Sequence, residues 1–457
     1  MDYSAVIALA IFATTLYLMI KRPFGISLGL AAGLGAAASL LFGTVTLNDA
    51  VEAFINIWDA ALAFIGIVAF SVTLDAIGFF RWAAIEVIKM AGGSGLKLYF
   101  YISLLTACVS ILFANDSAVL ILTPIVLEII SRLRMNSDER LAYLFSAGLI
   151  ADTAAMPLIT SNPVNIVSAD FFRYTFIDHA VFMGPVAVAT ITSSLLIVYA
   201  FFRRRIPRFY STNFAEILNP EEQIIAPHLL RISLATLVAI NISYVIASLN
   251  RIPVSVVICS GALFLLGVYG VSLKIPLALN ERKSIGNLVK EINWDIILFM
   301  TSIFLVVQGL KRVGAVDFFA RLFLKALSLP SFFSVFAPSM IVTVGASVMN
   351  NWPMTILGLL SIRRAVNAGL DQRSLTCLIF SNIIGNNLGP HFFPLGSLAI
   401  IMWLETMRRK GVAIRLIDYL RVGSVVSILE VIAASLILWL EITFLNMNLN
   451  INMGIWD

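Results

Sequence analysis

The sequence predicts an all-α polytopic membrane protein of two inverted-topology repeats, with about ten transmembrane helices, two re-entrant hairpins and two broken helices. Three observations carry this. Of 457 residues, 60% are hydrophobic and only 12% charged, outside the soluble globular range, and apolar stretches of the roughly 17–25 residues that span a bilayer recur throughout. Two polar knots interrupt them, Ala114-Asn115-Asp116-Ser117 and Met349-Asn350-Asn351-Trp352. The landmarks around the knots also keep register. Trp58-Asp59 and Trp294-Asp295 open apolar spans, and Asn115 and Asn350 follow those tryptophans by 57 and 56 residues. Asp152 and Asn387 lie 37 residues further on, and Asn162 and Ser397 ten beyond that. Such self-similarity reads as a duplication.

In chain order, crossing segments are expected at 4–20, 23–42, 58–78, 141–170, 180–202, 229–249, 253–272, 294–312, 374–401 and 420–445. The first follows Met1-Asp2-Tyr3 without a basic n-region and runs into Lys21-Arg22 rather than a cleavage site, so it is expected to be retained. The knotted stretches 97–134 and 332–366 have arms too short for paired spans and place Asn and Asp at the turn. They are expected to be re-entrant hairpins, because irregular backbone at membrane depth is tolerated where protein encloses it or it lines a cavity. Spans 141–170 and 374–401 are expected to break. Ala151-Asp152-Thr153 is followed by Pro157 and Asn162-Pro163, and the second half has Gly385, Gly389-Pro390, Pro394 and Gly396; each proline removes a donor and clashes with the preceding turn.

The domain reading is a first repeat, 1–202, with hairpin 97–134 and broken helix 141–170. A cytoplasmic linker at 203–227 follows, with Arg203-Arg-Arg-Ile-Pro-Arg208 and the pair Glu221-Glu222. The second repeat, 228–446, has hairpin 332–366 and broken helix 374–401, and 447–457 form a tail.

The net charge of +5 does not imply nucleic acid, since the basic residues form no single patch with interleaved aromatics. With hairpins that return to the side they left, 22 of the 31 Lys and Arg fall on the cytoplasmic side, among them Arg134, Arg203–Arg205, Arg282 and Arg408-Arg409-Lys410. Both termini then face outward, and the hairpins enter from opposite sides. That is the plan of secondary transporters, with the site near the midplane, and membrane lipid is the surrounding partner. Cys108, Cys259 and Cys377 each stand alone in apolar sequence, so neither a disulfide nor a metal site is read from them. No nucleophile–base–orienter set or cofactor motif is present, so neither enzymatic activity nor a cofactor is expected.

Hairpin tips and helix breaks together predict one polar chamber. Its substrate-binding candidates are Asn115, Asp116, Ser117, Asp152, Thr153, Asn162, Asn350, Asn351, Asn386, Asn387 and Ser397, with Ser161 and His391 beside them. Amides and hydroxyls dominate, without Arg or Lys. A dicarboxylate or phosphate calls for such cations, unless half-helix N-termini and coupled Na+ replace them; a neutral, hydroxyl-rich solute suits the lining better, donating to carboxylates and accepting from amides. Asp116 and Asp152 are the candidates for carrying a coupled proton, because intramembrane acids mark ion and proton pathways. The competing reading makes both permanently ionised caps on helix N-termini. Glu430 reads either as a relay or as the partner of a base at a helix end, and His391 as an interior hydrogen-bonder. Asp59 and Asp295 read as first-turn acids complementing the helix dipole, Asp75 and Glu128 as solvated acids near span ends, and Cys108 as a small buried hydrophobe.

At these residues the sequence resembles a known family. Ala114-Asn-Asp-Ser-Ala-Val-Leu-Ile-Leu-Thr-Pro-Ile-Val126, Ala151-Asp-Thr-Ala-Ala-Met-Pro-Leu-Ile-Thr-Ser-Asn-Pro-Val-Asn-Ile-Val-Ser-Ala-Asp-Phe-Phe172 and Met349-Asn-Asn-Trp-Pro-Met-Thr355 are similar to runs in the ArsB-type arsenite/antimonite efflux permeases. The resemblance implies export of arsenite and antimonite as neutral trihydroxides in exchange for protons, and leaves room for a cytosolic ArsA-type ATPase as partner. It also implies membership of the ion transporter superfamily, in which a hairpin-bearing domain moves as an elevator. A Na+/H+ antiporter of that superfamily is the alternative. The family pattern Gly-x-Asp-Leu-Gly-Pro becomes Gly385-Asn386-Asn387-Leu388-Gly389-Pro390 here, which implies that an amide replaces a carboxylate.

Overall fold

A computed structural model describes residues 3–133, 135–210, 227–274 and 283–451. Most of the expected linker, including Glu221-Glu222, together with Arg134, Arg282 and the tail from 452, lies outside the described residues. All regular elements among the described residues are helical, and eight helices are long and apolar enough to cross a membrane. The first repeat comprises α1 (Tyr3–Lys21), α2 (Leu28–Leu41), α3 (Leu47–Ile77), α4 (Phe79–Ala91), the hairpin α5 (Gly95–Phe113) and α6 (Asn115–Arg132), the broken pair α7 (Ser137–Thr153) and α8 (Pro163–Phe172), and α9 (Phe176–Phe202). The second runs through α10 (Pro227–Leu249), α11 (Val254–Ser272), α12 (Ile285–Glu291), α13 (Asp295–Gly309) and α14 (Ala315–Leu327). It continues with the hairpin α15 (Phe333–Met349) and α16 (Asn351–Val366), the broken pair α17 (Gln372–Phe392) and α18 (Leu398–Arg409), and α19 (Leu416–Thr443).

Local chemistry accounts for most boundaries. Capping boxes start α3 (Thr46 with Asp49), α7 (Asn136 with Glu139) and α9 (Thr175 with Asp178), each satisfying two orphan donors reciprocally. The first of these moves the start of α3 well upstream of Trp58, the expected boundary, because the cap outweighs the polar Asn48, Asp49 and Glu52 that follow it. Two short amphipathic helices, α4 and α14, were not anticipated from hydropathy. Each follows a glycine twenty residues after a landmark tryptophan, Gly78 (φ 90°) and Gly314 (φ 74°), where only glycine takes the left-handed turn without strain. They hold the hairpins through ion pairs at matching positions with the signs exchanged: Arg81 to Glu128 at 2.7 Å, and Arg364 to Asp317 at 2.7 Å. Glu128 thus has a partner rather than bare solvent, as does Asp75, 3.5 Å from Lys283.

The repeats interlock reciprocally. Asp59 lies in the middle of α3 and accepts from the backbone N–H groups of Val254 (3.2 Å) and Ser255 (2.9 Å), capping α11 of the other repeat. Asp295 accepts from Ser27 Oγ (2.6 Å) and Gly29 N (2.6 Å), capping α2 in return. Asp295 stands in the first turn of its own helix, as the sequence had implied, whereas Asp59 lies mid-helix and does not; both also cap the positive end of a helix from the other half. A contact of i with j matched by j with i is the mark of two-fold symmetry, and Gly29 permits it, since a Cβ there would run into the Asp295 carboxylate.

One break falls later than expected. α17 stays helical through Gly385, Gly389 and Pro390 and stops at Phe392. The two glycines serve packing, because Cβ atoms there would meet Val342 (2.5 Å) and Ala346 (2.7 Å) of α15. Carbonyls near the break find donors on α19: Ser427 Oγ to Leu388 O at 2.8 Å and Tyr419 OH to Pro390 O at 2.9 Å. With those groups satisfied, a proline near a helix end costs little enough for the helix to continue.

Candidate functional site

Each hairpin turns on a single residue, Ala114 (φ 66°, ψ 153°) and Asn350 (φ 78°, ψ 150°). This backbone is essentially glycine-only and costs about 1–3 kcal/mol per residue, so its appearance at two non-glycine tips argues that the surrounding packing enforces it. It also corrects the register. Ala114 matches Asn350, both 56 residues beyond their tryptophans, so Asn115 corresponds to Asn351 and Asp116 to Trp352.

The tight tips bring the N-termini of α6 and α16 against those of α8 and α18. Asn162 and Ser397 cap the latter two in the same way, accepting from the N–H two residues on, Val164 at 3.2 Å and Ala399 at 3.1 Å. Asn115, Asp116, Asn162, Asn351 and Ser397 thereby line one cavity, walled by Trp352, by Phe64 of α3 and by Ile296 of α13. It has room for about one water molecule. Each of four helix N-termini carries roughly half a positive charge, about +2 in total, opposite the Asp116 and Asp152 carboxylates. The balance is near neutrality without a fixed cation.

Behind the lining the polar groups are bonded to one another, both within and across the repeats. Asn115 Nδ2 donates to Asp152 Oδ1 at 2.7 Å. Asn162 Nδ2 donates to Asn387 Oδ1 at 2.9 Å, and Asn387 Nδ2 to Asn165 Oδ1 at 3.1 Å. Asn115 Oδ1, Asp152 Oδ2 and Asn351 Oδ1 are buried without a hydrogen-bond partner, an uncommon and costly state outside functional sites.

The sequence-predicted residues divide accordingly. Asn115, Asp116, Asn162, Asn351 and Ser397 face the cavity, with Asp152 and Asn387 directly behind. Asn350 shapes the tip, its amide donating to Leu395 O (3.1 Å) and its oxygen accepting from Trp352 N (3.2 Å). Ser117 is buried in the first turn of α6. Asn386 turns back on its own helix to Asn382 O at 2.8 Å, and Thr153 turns away to Glu430 Oε1 at 2.6 Å. Glu430 pairs at 2.8 Å with Nδ1 of His391, the base in the last turn of α17, so it has the helix-end partner that was one of its two readings. Four contributors were missed. Asn165 sits three residues after Asn162 and was legible as a second amide in the same run, and Trp352 stood in the second knot without a role; Phe64 and Ile296 are ordinary apolar residues with no signal of their own.

The chain is similar to proteins of one family throughout. The family model described as arsenical pump membrane protein matches residues 7–441. An arsenical pump membrane protein of Escherichia coli is 35% identical over 436 residues, covering 95% of this chain and 99% of the relative; one of Yersinia enterocolitica is 36% identical with the same coverage. Among solved structures, the YdaH transporter of Alcanivorax borkumensis superposes with a TM-score of 0.57 at 12% identity, covering 86% of this chain and 87% of that one, a likeness of fold. With a four-terminus polar chamber held between two interlocked repeats and this extent of similarity, the chain belongs to the ArsB family of arsenical pump membrane proteins.

Proposed function

We propose that this protein exports arsenite and antimonite as neutral trihydroxides, exchanging them for protons by alternating access. The observation that carries the reading is the chamber itself: amides, a hydroxyl and a carboxylate from both repeats, no Arg or Lys in the lining, and unpartnered acceptors on Asn115 and Asn351. A trihydroxide offers three O–H donors to such acceptors and three oxygens to the helix N-termini. The family's arsenical pumps support the substrate class; they do not favour the Na+/H+ exchange alternative.

The cavity is too small for the solute in its present shape, so loading requires a wall to move. Phe64 and Ile296 belong to the interlocked helices α3 and α13, whereas the polar lining belongs to the hairpins and broken helices. Sliding one set against the other would open the chamber first to one side and then to the other. A neutral solute moves against its gradient only if a second species binds the two states unequally, and Asp116 and Asp152 are the groups at the chamber able to take a proton. A cytosolic ArsA-type ATPase would act as a further partner.

The test is arsenite and antimonite uptake into everted membrane vesicles with and without a pH gradient at fixed Na+. Gradient-dependent, Na+-independent uptake is expected, and Asp116→Asn or Asp152→Asn should abolish the dependence while leaving arsenite–arsenite exchange. Uptake that follows Na+ and ignores pH would overturn the proton reading.

A further inference from the structure

Behind Asp152, three side chains from three helices meet with no exposure at all. Thr153 Oγ1, at the end of α7, donates to Glu430 Oε1 of α19 at 2.6 Å, and Glu430 Oε2 lies 2.8 Å from Nδ1 of His391 near the end of α17. The cluster joins the segment that breaks in the first repeat to the one that breaks in the second. Among the described residues no lysine or arginine is buried, so, besides the partial charges of the helix N-termini at the chamber, a proton is the charge that can neutralise an interior acid. A buried carboxylate without one is costly, and ionisable groups at membrane depth line proton pathways. The titratable groups beside His391 are Glu430 from α19 and Asp152 from α7; Tyr419 of α19 donates to Pro390 O, one residue before it, and α9 adds the Ser194 hydroxyl, 3.5 Å from Thr153 Oγ1.

We propose that the Glu430–His391 pair is a second proton site of the exchange, coupled to Asp152 and held in place by Thr153. The pair takes up one proton from the side that supplies it, at His391 Nε2, which is buried without a hydrogen-bond partner, and becomes an imidazolium–carboxylate pair. It releases that proton to the other side when the chamber changes state, leaving a neutral imidazole that still donates from Nδ1 to Glu430. Proton occupancy of the interior and the state of the chamber are thereby linked without any side chain leaving the membrane. This rests on the proton-exchange reading above and locates where the proton resides.

The experiment compares Glu430→Gln, His391→Gln and the double variant in everted vesicles. Both single variants should lose at least about tenfold of pH-gradient-driven arsenite uptake and flatten its pH profile between about pH 5.5 and 8.5, while equal-pH arsenite exchange persists. The double variant, a neutral hydrogen-bonding pair of similar shape, should recover stability without recovering the pH profile. An unchanged profile in the single variants, or gradient-driven uptake restored in the double variant, would overturn the assignment. The wild type offers a readout that needs no variant of the pair. The chain has three histidines, so 15N-histidine NMR, assigned with His179→Gln and His228→Gln, isolates His391; its resonance should titrate and shift on adding arsenite. A resonance indifferent to both pH and arsenite refutes the proposal. Wild-type vesicles that take up no arsenite would instead refute the functional reading beneath it.

Discussion

The Asn162 amide donates to Asn387 Oδ1 at 2.9 Å, clasping the N-cap of α8 in the first repeat to α17 in the second. Asn387 then passes its own amide to Asn165 Oδ1 and to Ile383 O, so one amide ties both helix breaks together. Replacing either Asn162 or Asn387 with Ala leaves a buried partner unsatisfied, which costs about 1–3 kcal/mol. The double variant should cost less than the sum of the singles, a coupling of about 0.5–3 kcal/mol in the unfolding free energy of purified protein. Strict additivity would mean that the two amides do not act as a pair.

The two asparagines of the second knot should behave differently. Asn351 faces the cavity with an unpartnered oxygen, so Asn351→Ala is expected to weaken apparent arsenite affinity while thermal stability stays near wild type. Asn350 is occupied with Leu395 O and Trp352 N, so Asn350→Ala should lower stability first. Affinity loss confined to the Asn350 variant would place the solute away from α16.

At Ala114 the backbone is one that glycine adopts freely. Ala114→Gly releases about 1–3 kcal/mol of strain against about 0.5–1 kcal/mol of added unfolded-state entropy, so its melting temperature should match or exceed that of the wild type. Ala114→Val, branched and fully buried, should melt lower. A glycine variant less stable than wild type would contradict the tip geometry.

Asp59→Asn and Asp295→Asn each exchange a charged cap for a weaker neutral one, and each should destabilise by about 0.5–2 kcal/mol. Both losses should appear in unfolding rather than in substrate affinity, since neither acid lines the cavity. Gly29→Ala should mimic the Asp295 variant by displacing its carboxylate. Affinity loss without destabilisation would assign these acids to the transport path instead.

Much of the architecture was legible because its signals are local. Hydropathy marks spans wherever they fold, a polar run such as Asn115-Asp116-Ser117 is conspicuous in hydrocarbon-like sequence, and Asn162-Pro163 announces a helix start before any partner is known. Five of the chamber candidates line the cavity for that reason: Asn162 and Ser397 are helix caps, and Asn115, Asp116 and Asn351 stand in the first turn after a hairpin tip. The one-residue slip at the knots arose because the eye aligns asparagines, whereas the chain aligns its turns, at Ala114 and Asn350.

By itself, then, the amino-acid order determined the membrane class, the duplication, the hairpins and the polar identity of the chamber, all properties of contiguous residues. Only the tertiary structure decided what each acid is for. Asp59 finds Ser255, Asp295 finds Ser27 and Glu430 finds Thr153 across 196, 268 and 277 residues of chain, and no local rule specifies such partners. They are set by how two repeats pack face to face, which brings Asp59 and Asp295 to the positive end of a helix from the other half and Glu430 to the Thr153 hydroxyl at the end of α7.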